Sequence, residues 1–457
     1  MKSFTRYGWL VCLWVLTASF QYGYHISALN QIQDVLTCRR TTDIPTNYGL
    51  PTCIPMNDAT FSLVTSFFTL GGLCGSLFAN IAMDRYGRKG ASRLSAVVNT
   101  VGALLSAVAT SVPLMAVGRF FVGVAAGIGI CVGPIYLAEV AHPDIRGSIG
   151  IGTQLAIVIG IMVTQVMGFV FATPRHWRLV LLFSTALSAL QYFTSCFVTE
   201  SPIYLKRLGL LDQQKHAVQH LWGNDLRRDA EEHSEQPLLS EDTAPSPSIA
   251  EERNAVTLPQ LLLSSNYRRA LLIVVFAMSS QQLSGDHFIQ VLYYSNAILS
   301  KALPTLAPYV SLVITVVNFL MTFPPIFLIE RLGRKQLMRI SVAGALISHL
   351  AVGYGLNKGM VTLPSIAIIV FVMSFAIGLG PVPFVIIPEV APPHASSSIS
   401  SVALTANWIL NFIIGLVFLP LRNLLANGDP VKEGRVFYVF AGALFCTSLC
   451  FSSLYRG

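Results

Sequence analysis

The stretch Asp84-Arg85-Tyr86-Gly87-Arg88-Lys89 returns later in the same chain as Glu330-Arg331-Leu332-Gly333-Arg334-Lys335. In both copies an acid precedes Arg, and a Gly precedes a second basic pair; we call these two stretches the acid-Arg boxes. Tyr136-Leu137-Ala138-Glu139-Val140 is likewise echoed by Ile386-Ile387-Pro388-Glu389-Val390. Repeats at such long range indicate two structural units of one kind, so we predict a chain built from two similar halves.

The composition around the boxes is that of a membrane protein. Of 457 residues, 53% are hydrophobic and only 11% are charged. A soluble domain has about 25% charged residues, so this chain cannot cover a surface that faces water. The net charge of +8 does not indicate a nucleic-acid partner, because the basic residues fall at the ends of apolar segments.

Twelve apolar segments are long enough to span a membrane. The predicted spans, numbered 1 to 12, are 7–29, 59–82, 92–111, 113–137, 148–172, 177–198, 269–299, 306–329, 337–356, 363–390, 396–421 and 435–455. We therefore predict an all-α membrane protein with twelve transmembrane helices in two pseudo-symmetric six-helix halves, 1–198 and 269–457. The polar segment 199–268 between them is predicted to be a cytoplasmic linker that is mobile in part, because its charged and Pro/Ser-rich stretches cannot bury apolar surface.

The short loops predict the orientation. Both acid-Arg boxes and the N-terminal Lys2 and Arg6 are basic, and basic loops stay on the cytoplasmic side. Both termini are therefore expected to be cytoplasmic, in a multi-pass protein of the plasma or vacuolar membrane. The loop 30–58 then lies on the opposite face, where its Cys38 and Cys53 are a candidate disulfide, with two free thiols as the alternative.

Six motifs in order resemble those of one protein family. The acid-Arg boxes resemble loops of the major facilitator superfamily, and four further motifs are similar to those of its sugar porter family. They are Gly123 to Gly127 with Tyr136, Glu139 and Arg146; Thr199-Glu200-Ser201-Pro202; Gln281-Gln282-Leu283-Ser284-Gly285; and Asn407-Trp408-Ile409-Leu410-Asn411. The chain is identified as a member of that family, and its Gly23-Tyr24-His25 in span 1 resembles some fungal members. The resemblance implies the major facilitator fold and a hexose transporter that works by alternating access, either facilitative or proton-coupled.

Charged residues near the boxes form a candidate gate. Bidentate pairs of Arg with a carboxylate can hold helix ends together and release them when the helices move apart. In the sugar porters such pairs are taken to clasp the two halves on the cytoplasmic side; the alternative is charge that only sets topology. The candidate gate residues are Arg85, Arg88, Glu139, Arg146, Glu200, Glu330, Arg331, Arg334 and Glu389. Ser396 stands where the family usually has Arg, which predicts a looser latch in the second half.

Amides and aromatic rings within the spans form a candidate sugar site. Sugar hydroxyls both donate and accept hydrogen bonds, as amides do, and the ring stacks on aromatic faces. The resemblance places the sugar contacts on Gln154, Gln281, Gln282, Asn318, Phe384, Asn407, Trp408 and Asn411. For each amide, a hydrogen bond to a neighbouring helix is the alternative. The stretch Gly378 to Pro383 is predicted to break span 10 as a hinge, because each Pro removes a donor and clashes with the preceding turn.

Two ionisable residues within the spans are candidates for proton coupling, since such residues are costly in a membrane. His25 stands where proton-coupled members of the family carry Asp, and a His titrates near neutrality. It can equally act as a neutral hydrogen-bonding group, as Asn does in facilitators. Asp286 follows Gly285, where the chain departs from the family pattern, and a place in the outer vestibule is its alternative role.

A sugar sensor that binds without transporting is the alternative function on the same scaffold. Sensors often carry long cytoplasmic tails, so the short C-terminal segment favours a carrier. We do not expect an enzyme, because the spans contain no Ser/His/Asp constellation and no two-histidine metal motif. The expected partners are a monosaccharide, the lipid bilayer and, with proton coupling, protons. No cofactor, metal or nucleic acid is expected, and a monomer is expected to be functional.

Overall fold

The computed structural model describes residues 4–39, 49–142, 145–223, 256–284, 310–427, 429 and 432–455. These residues are mostly helical, and each predicted span has a helix at its place. The helices are α1 (Arg6–Leu36), α2 (Asp58–Ala107), α3 (Val112–Val140), α4 (Arg146–Phe171), α5 (Trp177–Thr194), α6 (Pro202–Arg207), α7 (Leu211–Trp222), α8 (Leu258–Leu263), α9 (Arg268–Leu283), α10 (Val310–Met321), α11 (Pro324–Asn357), α12 (Thr362–Ile377), α13 (Val382–Val390), α14 (Ser396–Ala426) and α15 (Arg435–Leu454).

Eight stretches of helix within the described residues are long and apolar enough to cross a membrane. One of them, α2, holds the predicted spans 2 and 3, and α11 holds the end of span 8 together with span 9. Span 1 corresponds to α1, span 7 begins as α9, and span 8 begins as α10. The prediction of an all-α membrane protein is confirmed, while the second part of span 7 lies outside the described residues.

The helices pack first within each half of the chain. In the first half α1 packs on α4, and α2 packs on α3 and α5. In the second half α11 packs on α12 and α15, and α9 packs on α14 and α15. The halves meet where α14 contacts α2 and α3, and where α4 contacts α10 and α11.

Both acid-Arg boxes lie at kinks inside continuous helices. α2 turns at Gly87 (φ 74°, ψ −179°), and α11 turns at Gly333 (φ 77°, ψ 161°). This backbone region is nearly exclusive to glycine, because a side chain there clashes with its own backbone. The glycine of each box therefore lets one span turn directly into the next. We call the end of the bundle that carries both kinks the box end.

The carboxylate of Glu200, which is partly buried, completes the kink at Gly87. The backbone N–H groups of Arg88 and Lys89 donate to the Glu200 carboxylate at 3.0 Å and 3.1 Å. These N–H groups begin a new helical segment and have no carbonyl in a preceding turn, so the carboxylate acts as a cap. Burial raises the pKa of Glu200 above its usual value, against hydrogen bonds from the Ser201 and Lys89 N–H groups that lower it.

The segment predicted as a linker, 199–268, is anchored to both halves. At the end of α7, the Trp222 Nε1–H donates to the Val140 carbonyl of the first half at 2.9 Å. Near α8, the Val256 N–H donates to the His394 carbonyl of the second half at 3.1 Å. Residues 224–255, which include the stretches predicted to be mobile, lie outside the described residues.

A disulfide lies at the opposite end of the bundle from the boxes. It joins Cys38 and Cys53, whose Cα atoms are 5.2 Å apart. The chain next to Cys53 is fixed to α5, because the buried Trp177 donates its Nε1–H to the Thr52 carbonyl at 2.7 Å. The two cysteines are bridged, and the chain at Thr52 is held against the first half.

The two kinks make a matched test of the box glycines. A Cβ atom at Gly87 would lie 2.4 Å from the Glu200 carboxylate, whereas one at Gly333 has no described neighbour within 4 Å. Gly333→Ala is expected to cost about 1–3 kcal/mol from backbone strain alone. Gly87→Ala is expected to cost more, because the Glu200 cap must also move.

Thermal unfolding in detergent micelles measures both losses. Gly442→Ala is the control, since Gly442 lies in regular helix α15 with open space around it. An unfolding temperature for Gly87→Ala equal to that of Gly442→Ala would contradict the assignment of this kink.

Candidate functional site

A cavity lies between the two halves. The space inside it, counted together with the part that is open to solvent, is about 1010 Å³. Helices α1 to α4 form one side of it, and α9, α10, α13 and α14 form the other. All the residues predicted to contact a sugar line this one cavity, namely Gln154, Gln281, Gln282, Asn318, Phe384, Asn407, Trp408 and Asn411.

The Gln281 amide is already used by the protein itself. Its Nε2–H group lies 3.0 Å and 2.9 Å from the carbonyl oxygens of Leu379 and Gly380, and its Oε1 accepts from Asn407 Nδ2 at 3.1 Å. The two carbonyls belong to the break between α12 and α13, which is the predicted hinge. Gln281 therefore has the alternative role, because its amide makes hydrogen bonds to neighbouring helices.

Other polar atoms of the cavity have no hydrogen-bond partner among the described residues. They are Oε1 of Gln282, Oδ1 of Asn318 and Nε1 of Trp408, all of them buried. A buried polar atom without a partner costs about 1–3 kcal/mol. Each of these atoms has less than 1 Å² of accessible surface, so a hydroxyl group of a ligand in the cavity reaches it only after a small movement of the side chain.

An aromatic corner stands beside these atoms. The ring of Trp408 lies 5.7 Å from the rings of both Tyr22 and Phe68. Its side chain is almost wholly buried, so its orientation is fixed by its neighbours. The corner offers apolar ring surface next to the Trp408 donor.

One cation in the cavity wall, Arg119, was not among the residues predicted from the sequence. Arg119 of α3 lines the cavity and is 1% exposed. Its Nη2–H donates to the His25 carbonyl at 3.2 Å, and its guanidinium lies 4.5 Å from the centre of the Phe68 ring. Its Nε and Nη1 have no hydrogen-bond partner among the described residues. The signal was present, because an Arg inside an apolar span is functional by default.

His25 belongs to a polar network inside the first half. Its Nε2 lies 2.6 Å from Ser184 Oγ, and Ser184 donates its hydroxyl proton to Gln21 Oε1 at 2.6 Å. His25 is therefore the donor to Ser184, through a protonated Nε2. Its Nδ1 has no partner within the described part of the chain. Asp286, the other candidate for proton coupling, lies outside the described residues.

The gate residues form ion pairs within each half. Arg88 Nη2 lies 2.8 Å from Glu139 Oε1, and Arg334 Nη2 lies 2.7 Å from Glu389 Oε1. Arg334 also lies 3.2 Å from Glu330 on its own helix. The two Arg residues occupy the same place in their boxes, so the pairs repeat one design. They tie α2 to α3 and α11 to α13, and they do not form the predicted clasp between the halves.

The remaining gate candidates have other surroundings. Glu200 caps the kink of α2, as described above, rather than pairing with an Arg side chain. Arg85 is exposed, with its guanidinium 5.6 Å from the centre of the Tyr86 ring, and Arg331 is also exposed. The Nε of Arg146 is buried and has no hydrogen-bond partner among the described residues. These three Arg residues form no ion pair with a carboxylate in the described ranges.

Hydroxyl groups of α14 connect the halves at the box end. The contacts are Ser397 Oγ to Asp84 Oδ1 (2.9 Å), Ser400 Oγ to the Cys131 carbonyl (2.9 Å), Ser401 Oγ to the Ser76 carbonyl, and Arg88 Nη2 to Ser396 Oγ (3.3 Å). We call the four serines Ser396, Ser397, Ser400 and Ser401 the hydroxyl seam. The position where the family usually has Arg thus belongs to a row of neutral donors and acceptors.

Comparisons with known proteins agree on one family. A family model described as "Sugar (and other) transporter" matches residues 11–453. A probable metabolite transport protein of Saccharomyces cerevisiae is 30% identical over 450 residues, covering 94% of this chain and 88% of the yeast protein. The human solute carrier family 2, facilitated glucose transporter member 3, is 31% identical over 448 residues, covering 95% of this chain and 86% of its own length.

Solved structures show the same fold at low sequence identity. The proton:xylose symporter XylE, a major facilitator superfamily protein bound to 6-bromo-6-deoxy-D-glucose, has a TM-score of 0.78 at 18% identity. That comparison covers 97% of this chain and 94% of the symporter. The inward-open conformation of XylE from E. coli has a TM-score of 0.66, also at 18% identity, and covers 97% of this chain and 95% of XylE.

The two repeated ion pairs predict unequal effects of one substitution. The Arg88 side chain is 1% exposed and its partner Glu139 is 7% exposed, whereas Arg334 and Glu389 are 22% and 20% exposed. Glu139→Gln leaves a buried guanidinium without a counter-charge and is expected to cost about 3–5 kcal/mol. Glu389→Gln is expected to cost about 1 kcal/mol or less, because water and Glu330 still stabilise Arg334.

Thermal unfolding of the two variants, side by side in the same detergent, checks this difference. Each variant is the other's control, since both remove one charge from equivalent positions of the repeat. Equal losses of stability would show that burial of the Arg88 pair does not matter.

Proposed function

The chain belongs to the sugar transporter family of the major facilitator superfamily, and from this membership we propose that it carries a monosaccharide by alternating access. Members of this family are multi-pass membrane transporters, so the chain is a transporter of that class and not an enzyme. The side chains that hold the sugar, the orientation in the membrane and the coupling are the parts that we propose.

The observation that carries the proposal is the cavity between the halves. Eight residues chosen from sequence resemblance lie around it, although they come from five different helices. Free acceptors on Gln282 and Asn318 and a free donor on Trp408 match hydroxyl groups, which both donate and accept. We propose that these three side chains, with Gln154, Phe384 and Asn411, hold the sugar, while Gln281 and Asn407 position the hinge beside it.

The division of the polar contacts, some within each half and some between the halves, supports alternating access. The ion pairs Arg88–Glu139 and Arg334–Glu389 stay within their halves, so each half can move as a unit. The hydroxyl seam and the contact of Gln165 Nε2 with Thr315 Oγ1 at 2.9 Å cross between the halves. We propose that the two halves rock against each other. This motion would separate the hydroxyl seam on one side of the cavity and the contact between Gln165 and Thr315 on the other side. We also propose that the box end is cytoplasmic, as its basic loops predict.

We propose facilitative rather than proton-coupled transport. His25 sits beside Arg119, whose guanidinium donates to the His25 carbonyl. A charged imidazole there would place two positive groups together, with no carboxylate among the described residues that line the cavity. His25 fits better as a neutral donor to Ser184. As a neutral donor, His25 would help to position the helices, as Asn does in facilitators.

The test of transport is uptake of radiolabelled hexoses by proteoliposomes that contain the purified protein. Gln282→Leu and Asn318→Leu are expected to raise the KM for the transported sugar at least about tenfold, since each removes a free acceptor and 1.4 kcal/mol corresponds to tenfold. Ser348→Ala is the matched control, because its hydroxyl is also buried and unpartnered but lies outside the cavity. Absence of counterflow for every sugar would leave the sensor as the better assignment.

Coupling is tested by the pH dependence of uptake. We expect a flat rate between about pH 5 and 8, the range over which an ordinary His changes charge. His25→Asn is expected to keep that flat profile and most of the rate, since Asn also donates a hydrogen bond. The pH dependence of uptake is measured for Asp286→Asn in the same way. A rate that rises on acidification in the unchanged protein and becomes flat in either variant would establish proton coupling.

A further inference from the structure

Trp408 of the second half fills a hollow in the first half. Its side chain is buried, and the centre of its ring lies 5.7 Å from those of Tyr22 in α1 and Phe68 in α2. The third side of the hollow is Gly72 of α2, where a Cβ atom would lie only 2.4 Å from the nearest atom of the Trp408 ring. We call the hollow formed by Tyr22, Phe68 and Gly72 the tryptophan socket.

The glycine at position 72 is required by space rather than by backbone conformation, since it lies within regular helix. On the side of α2 away from the socket, α3 packs directly against the backbone. A Cβ atom at Gly127 of α3 would lie 2.3 Å from the Gly72 carbonyl oxygen. Helices packed this closely leave no room for α2 to move back. A side chain at position 72 therefore displaces the Trp408 ring from the socket.

The tryptophan socket lies at the cavity end of a row of contacts between α2 and α14. One turn further along α2, Ser76 Oγ lies 3.0 Å from Thr405 Oγ1, and the Ser76 carbonyl accepts from Ser401. The row reaches the box end, where Ser397 Oγ donates to Asp84 Oδ1 at 2.9 Å. The socket and the hydroxyl seam are thus two ends of one contact surface between the halves.

We propose that Trp408, seated in the tryptophan socket, holds the box end closed, and that Gly72 is the positioning residue that makes this seat possible. The inference rests on the proposed rocking of the two halves and names a contact that controls it. Trp408 also lines the cavity. When α14 leaves α2 and the box end opens, the ring leaves the socket and the wall of the cavity changes with it.

A cysteine of the chain itself reports on the box end. Cys131 of α3 is a free, buried thiol, and its carbonyl accepts from Ser400 of the hydroxyl seam at 2.9 Å. A water-soluble maleimide reaches this thiol only after the seam opens. The experiment is alkylation of the purified protein in detergent, with the rate at Cys131 followed by mass spectrometry of its peptide.

Gly72→Ala is expected to raise the alkylation rate of Cys131 at least about fivefold, because the added methyl group overpacks the contact with Trp408. Gly72→Ala combined with Trp408→Phe is expected to reverse most of that rise, since the smaller ring leaves room for the methyl group. Gly415→Ala is the matched control on α14, where a Cβ atom has no described neighbour within 4 Å. Its rate is expected to equal that of the unchanged protein.

Two further variants keep the test decisive. If Gly72→Ala does not fold, Trp408→Leu empties the socket from the other side and is expected to raise the rate in the same way. Ser397→Asp is the positive control, because it places a second carboxylate beside Asp84 and opens the seam without touching the socket.

The outcomes separate the role of the socket from the rocking of the halves. A rate that rises in Ser397→Asp but in neither socket variant would overturn the role of Trp408 while leaving the rocking intact. A rise in Gly72→Ala that Trp408→Phe fails to reverse, or that Gly415→Ala matches, would also overturn it. A rate that none of the variants raises would reject the opening of the box end as well.

Discussion

The ion pair between Arg88 and Glu139, repeated as Arg334 and Glu389, is the interaction on which the rest of the architecture depends. Each pair joins the helix kinked at a box glycine to a neighbouring helix of the same half. At each kink a single glycine turns one span into the next, and the ion pair adds a charged contact to the packing that already holds the helix in place. The tie holds each kinked helix to a neighbour of its own half, whereas no ion pair between described residues crosses the surface between the halves. The cavity lies on the surface between the halves, so its shape depends on how the two halves are placed relative to each other.

Sequence patterns predicted the repeat, the spans and the lining of the cavity, because these depend on periodicity and on motifs kept in order. They did not predict which partner each charged group takes. Arg88 and Glu139 are far apart in the chain, and only packing shows that their pair stays inside one half. Glu200 looked like a gate acid, but the kink at Gly87 exposes N–H groups that its carboxylate caps. Arg119 was overlooked because one charge changes the mean hydropathy of its span very little.

The cavity shows how one replacement alters the chemistry of a shared scaffold. The family's proton-coupled members carry Asp at the place of His25, and the resemblance alone suggested a choice between proton coupling and neutrality. In the structure Arg119, which lines the cavity, donates to the carbonyl of His25, so the position of the replacement also touches the cavity wall. The Gln281 amide shows the converse, since a residue predicted to contact sugar is used to hold the hinge carbonyls of Leu379 and Gly380. The type of a residue therefore does not determine its role. The hydrogen bonds that the residue makes in the structure determine it.

The hydroxyl seam also has a consequence for turnover. Two of its serines donate to main-chain carbonyls of the first half, and Ser397 donates to a carboxylate. When the seam opens, water replaces each of these partners, and a typical hydrogen bond then changes the free energy by only about 1 kcal/mol. A latch of Arg–carboxylate pairs would demand more, because charges must be separated and rehydrated. Opening at the box end therefore depends on hydrogen bonds that water can replace one by one, rather than on the separation of charged pairs.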